Sequence, residues 1–237
     1  MALPTINTPT YELVVPSTDE KVKYRPFLVK EEKILMMALE SKENKQIVNA
    51  VKEIVQTCTF DAINLSERPM FDMEYIFLQI RSKSVGEVSA LRLLCPDDGE
   101  TYADVEIDLS KVNVELGAGH TNKIDLGEKI GLVMKYPSID SFDSDDMAEI
   151  NASNMLDVIS SCIEQITEKD GEVVYDTKDQ TKKEIIEFLE QLNTKQFADV
   201  QNFFDTMPKL KHEVTIKNPK TKVESKVTLS GLNDFFA

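Results

Sequence analysis

The stretch LRLLCPDDGETYADVEIDL, residues 91–109, predicts a β-hairpin: an alternating strand, a polar turn and a second alternating strand. Asp98-Gly99 in the turn is by itself a strong hairpin signal. A second stretch, HEVTIKNPKTKVESKVTLSG at 212–231, has the same layout, with a proline in its turn and a serine after its second strand. The sequence therefore predicts at least two antiparallel hairpins of one design.

Both turns stand where a zinc ribbon carries a Cys-x-x-Cys knuckle. The first keeps Cys95 but has Asp98 in place of the second cysteine, and the second has no cysteine. Structural zinc takes four ligands, normally thiolates and imidazoles. Cys95 with Asp97 or Asp98, with or without His212, would supply at most an irregular site. We therefore expect two metal-free hairpins without a cofactor; the alternative, a zinc-dependent interaction module, depends on further ligands for Cys95.

Helical periodicity fills much of the remaining sequence. The clearest helix is NKQIVNAVKEIVQTC at 44–58, whose apolar stripe includes Cys58. Thr181-x-x-Glu184 is a capping box that opens another helix. Apolar residues from Met155 to Ile166 also recur at helical spacing, which predicts one helix ending near Gly171. Other helices are predicted within 29–41, 70–86 and 194–208, and other hairpins within 11–27 and 123–137.

These elements together predict an α+β fold in which helices pack with several short antiparallel hairpins. The character of the chain changes in its second half. We expect an α+β lobe with hairpins and three helices over 1–140, and a helical lobe ending in a hairpin over 141–237. One compact domain is equally consistent with the pattern.

The composition excludes some classes of partner. The 237 residues include 27 basic and 42 acidic side chains, a formal net charge of −15. Nucleic-acid affinity comes largely from Lys and Arg that neutralise phosphates, so nucleic acid and anionic membrane are not expected partners. Three dispersed cysteines fit a reducing compartment. No signal peptide or long apolar run is evident, which predicts a protein of the cytoplasm at synthesis.

The sequence offers little catalytic chemistry. His120 lies in GAGHTN, which is followed by a predicted strand rather than a helix and is therefore expected to be a flexible loop. The acidic run DSFDSDD at 140–146 lacks the central glycine of a calcium loop and is expected to precede a helix. Familiar nucleophile, metalloprotease and nucleotide motifs are missing. A pair of carboxylates remains the one enzymatic alternative.

Two segments carry candidate partner-binding residues. In KYRPF, residues 23–27, Tyr24, Arg25 and Phe27 are of types enriched at binding hot spots, although they could equally anchor a strand-to-helix corner within the monomer. At the end of the sequence, LNDFF offers Leu232, Phe235 and Phe236. These three could dock into a partner or lie on the last hairpin of the same chain.

The sequence resembles a known family along nearly its whole length. KYRPFLVKEEKILMMALES at 23–41, FLQIRSKSVGE at 77–87, CPDDGE at 95–100, VMKYPS at 133–138 and LSGLNDFF at 229–236 occur in the same order as in the baseplate hub protein family of T4-like contractile-tailed phages. Some relatives carry fuller Cys-x-x-Cys turns, and this sequence departs from them by keeping only Cys95.

The resemblance implies a non-enzymatic late protein of virion assembly. It would bind other baseplate hub proteins or the tape-measure protein, as a subunit of the virion tail baseplate or as an assembly chaperone acting in the host cytoplasm. Association with further copies of itself is compatible with this role. The resemblance supplies no catalytic residue, cofactor or metal ligand. A small hub-associated hydrolase using paired carboxylates is the alternative of a different class.

Overall fold

The computed structural model describes residues 6–139, 154–168 and 171–235 and shows an α+β protein. Among these residues the helices are α1 (Val29–Ser41), α2 (Asn44–Cys58), α3 (Met70–Val85), α4 (Met155–Ser161), α5 (Lys182–Leu189) and α6 (Thr194–Thr206). The strands are β1 (Tyr11–Val14), β2 (Lys21–Tyr24), β3 (Val88–Leu94), β4 (Tyr102–Asp108), β5 (Asn113–Glu115), β6 (Lys123–Gly127), β7 (Ile130–Met134), β8 (Ile163–Glu168), β9 (Val173–Asp176), β10 (Lys209–Lys217) and β11 (Glu224–Ser230).

Contacts group the chain into two compact units, residues 1–115 with 209–237, and residues 116–208. The sequence predicts a different division, 1–140 and 141–237. The grouping follows from strand β10, which pairs with β5 as well as with β11 and so joins the C-terminal hairpin to the N-terminal part of the chain. Periodicity does not specify such a pairing. A lobe boundary near residue 140, which lies outside the described residues, stays a prediction.

The first unit combines α1–α3 with three small antiparallel sheets: β1–β2, β3–β4 and β11–β10–β5. All three predicted hairpins of this unit are confirmed, since β1 pairs with β2, β3 with β4 and β10 with β11. Alternation places Leu91 and Leu93 of β3 in the core, where they meet Leu78 of α3 and Leu229 of β11. The core therefore holds α3 and both hairpins together.

The second unit is a four-stranded antiparallel sheet, in the order β6–β7–β8–β9, with α4, α5 and α6. The predicted hairpin at 123–137 is confirmed as β6–β7. The predicted capping box is also confirmed: the Thr181 hydroxyl accepts from the Glu184 N–H at 3.3 Å, and the Glu184 carboxylate accepts from the Thr181 N–H at 2.8 Å. Phe203 of α6 and Leu189 of α5 are buried against the sheet.

One helix prediction is wrong. The periodicity from Met155 to Ile166 predicts one helix, but α4 ends at Ser161 and strand β8 starts at Ile163. In β8, Ile166 pairs with Leu132 of β7 on one side and with Tyr175 of β9 on the other. Pairing on both edges fixes these residues as strand, and β-branched isoleucines suit that conformation.

Candidate functional site

The KYRPF segment forms a corner inside the first unit. Tyr24 and Phe27 are buried, with 3% and 9% of their surfaces exposed. The guanidinium of Arg25 donates to Glu31 at 2.8 Å and to the carbonyl of Pro26 at 3.0 Å. The backbone N–H of Arg25 donates to the carbonyl of Cys58 at 3.0 Å, which ties the corner to the end of α2. All three candidate side chains thus serve the internal alternative; partner contact through them stays a prediction.

Glu31 is the carboxylate that fixes this corner. Its side chain accepts from the N–H of Leu28 at 2.8 Å, besides its ion pairs with Arg25 and, at 3.2 Å, with Lys30. Burial alone would raise the pKa of Glu31, but the hydrogen bonds from Arg25, Leu28 and Lys30 outweigh it and lower the pKa. Glu31 therefore stays ionised at the start of α1, where the helix dipole favours negative charge.

The C-terminal segment is also held by its own unit. Phe235 is fully buried in the core of the first unit, and Leu232 is half-buried. The N–H of Leu232 donates to Glu74 of α3 at 3.2 Å, and the N–H of Ser230 donates to Asp234 at 2.7 Å. This placement matches the alternative in which the tail lies on its own hairpin. Phe236 is outside the described residues, and docking of the tail into a partner stays a prediction.

The two proline-containing turns share a backbone pattern. In the first, the N–H of Gly99 donates to the carbonyl of Cys95 at 3.0 Å; in the second, the N–H of Lys222 donates to the carbonyl of Asn218 at 2.9 Å. Gly99 and Lys222 have nearly the same left-handed φ, 66° and 67°. Asn218 thus occupies in the second turn the place that Cys95 has in the first.

The two turns also bind each other. The side-chain amide of Asn218 donates to both carboxylate oxygens of Asp97, at 3.0 and 3.1 Å, and the Thr221 hydroxyl donates to the same carboxylate. Asp98 instead closes its own turn by accepting from the N–H and hydroxyl of Thr101 at 3.0 and 2.6 Å. The carboxylates that sequence reasoning considered as metal ligands therefore have hydrogen-bonding roles.

The turns do not present a recognisable metal-ligand set. Within residues 6–139, 154–168 and 171–235, no three His, Cys, Asp or Glu side chains group so as to hold a metal ion. His212 lies six residues before Asn218, about 20 Å away along an extended strand. Burial, with Asp97 and Asp98 nearby, raises the pKa of the Cys95 thiol, whereas zinc binds the thiolate. A likeness of these hairpins to zinc ribbons stays a prediction.

The GAGHTN loop is anchored rather than free. His120 Nδ1 lies 3.0 Å from the Thr206 hydroxyl and Nε2 lies 3.1 Å from the Tyr136 hydroxyl. The Thr206 hydroxyl itself donates to the carbonyl of Asn202 at 2.6 Å. Thr206 must then accept from Nδ1–H, and Nε2 accepts from Tyr136. This neutral imidazole leaves Thr206 without a base, so the pair is not an activated nucleophile.

The sequence does not foretell this anchoring. The ring of His120 packs against Phe203, with centroids 5.2 Å apart, and burial lowers the pKa of His120. A Cβ on Gly117 would lie 2.8 Å from the backbone of Thr206, so glycine permits the close approach of loop and helix. The one sequence feature that bears on this anchoring is Gly117, a small residue three positions before His120. The partner of Gly117 is Thr206, which lies 89 residues further along the chain.

Glu74, on α3, is a carboxyl for which burial favours the neutral form. Burial raises its pKa to about 7, opposed by the hydrogen bond from the Leu232 N–H. Carboxylate catalysis of glycosidic bonds uses two acids flanking a cleft. Glu74 instead faces the last turn of its own chain, and a Cβ added to Gly231 would lie 3.5 Å from its oxygen. Its role in this fold is to hold the C-terminal segment.

Comparison with known protein families decides the identity. A family model described as T4 bacteriophage base plate protein matches residues 8–237. The chain belongs to that family. No curated protein and no solved structure gives a significant match. The resemblance to T4-like baseplate proteins is thereby confirmed, and such a protein is expected to contact other baseplate proteins. Across the described residues, no helix is long and apolar enough to cross a membrane.

This baseplate protein exposes apolar side chains along α1. Val29 is 80% exposed, and Met36 and Met37 are 60% and 61% exposed. Val29 and Met36 are seven residues apart and fall on one helical stripe, with Met37 beside it. The opposite side of α1 carries the buried Glu31 and Ala38. We call Val29, Met36 and Met37 the α1 face; sequence reasoning passed over it because it looked for hot spots in the preceding corner.

Proposed function

We propose that this baseplate protein is a non-enzymatic component of hub assembly that binds other hub proteins, the tape-measure protein or both. It would act in the host cytoplasm during assembly, as a hub subunit or as an assembly chaperone. The observation that carries the proposal is the α1 face. Its three large apolar side chains are each at least 60% exposed, and methionine adapts its shape to a partner.

The polar chemistry of the described residues supports the same proposal. Glu31, Asp97 and Asn218 are engaged in holding segments of the fold, and His120 is a neutral anchor. Each side chain with the potential for acid–base work that we have described has such a structural use. These structural roles favour a binding function over a catalytic one.

The test is an affinity purification of the tagged full-length protein from infected cells, with mass spectrometry of bound proteins and of purified tails. Recovery of hub or tape-measure proteins together with presence in tails would support a subunit. Recovery of the same proteins with absence from tails would support a chaperone. If neither hub nor tape-measure proteins were recovered, the proposal would fail and the hydrolase alternative would return.

A matched pair of variants sharpens this test. Met36→Lys with Met37→Lys places charge on the α1 face and should lower partner recovery roughly tenfold, an effect of about 1.4 kcal/mol. Val85→Lys is the control, because Val85 is 63% exposed and belongs to α3 rather than to α1. Equal recovery with both variants, at equal melting temperatures, would remove the α1 face from the proposal.

A further inference from the structure

The second unit contains an apolar groove between its sheet and α5. The groove has a volume of about 260 Å³, and Ile130, Ile166, Tyr175 and Phe188 form its apolar wall. Strand pairing explains this wall, because Ile166 lies opposite Tyr175. The groove is smaller than the ~300–1,000 Å³ typical of small-molecule sites. It suits one large apolar side chain rather than a cofactor.

Strand β9 borders the groove and is an edge strand within the described part of the chain. An edge strand presents backbone N–H and C=O groups to which another strand can add. Proteins commonly protect such edges with proline or lysine, and β9, of sequence VVYD, has neither. Val174 is 50% exposed and Tyr175 is 43% exposed. An extended segment can therefore pair with β9 while one of its side chains enters the groove.

The charge around the groove specifies the occupant further. Glu168 and Glu184 line it. Residues 163–168 and 171–190 contain eight carboxylates and three lysines. Two of those lysines are paired, Lys182 with Asp157 at 2.7 Å and Lys183 with Glu187 at 3.4 Å. An acidic segment or a nucleic acid would be repelled, whereas Lys or Arg beside the apolar side chain would be attracted.

We infer that the groove and strand β9 bind an extended segment of another baseplate protein, in which an aliphatic or aromatic side chain is flanked by Lys or Arg. The inference depends on the proposed function, since that function supplies the class of partner. The apolar side chain would fill the space beside Tyr175 and Phe188. The basic residues would lie against Glu168 and Glu184, and the backbone of the segment would extend the sheet.

The first experiment locates the contact. A photo-crosslinking phenylalanine derivative replaces Tyr175 in the full-length protein, which is co-expressed with the other baseplate proteins of the same phage. The matched control places the derivative at Val174, the neighbouring position of the same strand. We expect position 175 to crosslink to a segment of a second baseplate protein in which Lys or Arg flanks an apolar residue. A crosslink to another copy of this chain, or none from a complex that does form, would overturn the inference.

The second experiment measures affinity of the purified pair. Glu168→Lys should weaken binding at least about tenfold, because it reverses the charge beside the groove. Glu164→Lys makes the same change of charge at an exposed position of the same strand that does not line the groove, and should change the Kd less than about threefold. Equal effects of the two variants would overturn the inference.

The two experiments separate this inference from the proposed function. If hub or tape-measure proteins bind the wild-type protein and Glu168→Lys does not change the Kd, the proposed function stands. The groove is then not the surface that these partners contact. If no baseplate protein binds the wild-type protein, the proposed function fails and this inference fails with it. Melting curves of both variants establish that any loss of binding is not a loss of fold.

Discussion

Asn218 donates its side-chain amide to both carboxylate oxygens of Asp97, at 3.0 and 3.1 Å, across 121 residues of sequence. The carbonyl oxygen of the same amide accepts from the N–H groups of Lys220 and Thr221, at 2.8 and 3.1 Å. Asn218 is 1% exposed, so these bonds replace water that it cannot reach. The two hairpin turns are thus joined by a polar link.

Removing either partner of this link should destabilise the protein. Asn218→Ala removes both hydrogen bonds from the amide to Asp97 and leaves N–H groups of the second turn without their acceptor, at a cost of about 1–3 kcal/mol in the free energy of unfolding. Asp97→Ala should also destabilise the protein, because it removes the acceptor of the Asn218 amide. The double variant should cost clearly less than the sum, because both substitutions remove one shared interaction. Urea denaturation of the four proteins measures this coupling.

Acid gives an independent check of the same link. Hydrogen bonds from Thr221 and Asn218 lower the pKa of Asp97 in the folded protein. The carboxylate therefore contributes stability above its unfolded pKa of about 3.9, and this contribution is lost as pH falls through the lower folded pKa. Glu106→Ala, at an exposed position of β4, is the control. Additive costs for the double variant would contradict a direct Asp97–Asn218 interaction.

Chelation should leave this protein folded. If hydrogen bonds rather than zinc join the turns, dialysis against EDTA should shift the melting temperature by less than about 1 °C, whereas zinc-dependent domains unfold when chelated. Metal analysis of the purified protein should find well under one zinc per chain. A melting temperature that falls with EDTA, recovers with Zn²⁺ but not Mg²⁺, and loses this response in Cys95→Ala would revive the zinc-module alternative.

The elements with strong local signals could be predicted from sequence. The apolar stripe at 44–58 and the turn at Asp98-Gly99 agree with α2 and with the hairpin β3–β4, because each pattern is fixed by neighbours within a few residues. The alternation at 123–137 predicted the hairpin β6–β7 for the same reason. The helical spacing that continues past Ser161 predicted a helix where β8 forms. Ile163 and Ile166 fit the apolar stripe of a helix and a buried strand equally well.

The candidate site could be predicted far less well. The residue types in KYRPF are those of binding hot spots, but whether Tyr24 and Phe27 face a partner or the core depends on contacts with distant elements, such as the bond from the Phe27 N–H to Ser84. Anchoring of His120 and pairing of the two turns are likewise long-range. Composition and periodicity describe a residue and its neighbours, so they cannot specify partners that only folding brings together.

Protonation of His120 should weaken the second unit. Burial lowers the pKa of the folded-state imidazole below 6.5. The unfolded chain therefore takes up a proton first, and stability present above about pH 6.5 is lost as pH falls toward the lower folded value. His120→Gln keeps a polar side chain without this titration. It should cost about 1 kcal/mol at pH 7.5, and its deficit relative to wild type should shrink by pH 5.5.

The comparison needs a second histidine as its control. His212→Gln makes the same substitution at the other histidine of the sequence, in β10 of the first unit. Unfolding by urea is followed at half-unit steps of pH for all three proteins. If the free energies of unfolding of His120→Gln and wild type differed by the same amount from pH 5.5 to 7.5, protonation of His120 would not be the cause of the pH dependence.

Neutralising Glu74 should stabilise the protein at high pH. Burial raises the pKa of this carboxyl from 4.5 to about 7. Folding therefore favours the protonated form: its contribution is fully present below pH 4.5 and is lost as pH rises through about 7. Glu74→Gln keeps an oxygen that can accept from the Leu232 N–H. It should be more stable than wild type by about 2–3 kcal/mol at pH 8, because each pH unit of displaced ionisation costs about 1.4 kcal/mol.

The advantage of Glu74→Gln should disappear near pH 4, where the wild-type carboxyl is also neutral. Glu53→Gln, an exposed carboxyl on α2, should give no comparable gain at either pH. Amide exchange at Leu232 adds a local readout: at pH 8 its protection should rise in Glu74→Gln, because the C-terminal segment no longer packs against a buried charge. A variant less stable than wild type at pH 8 would mean that the ionised carboxylate itself holds the segment through the Leu232 N–H.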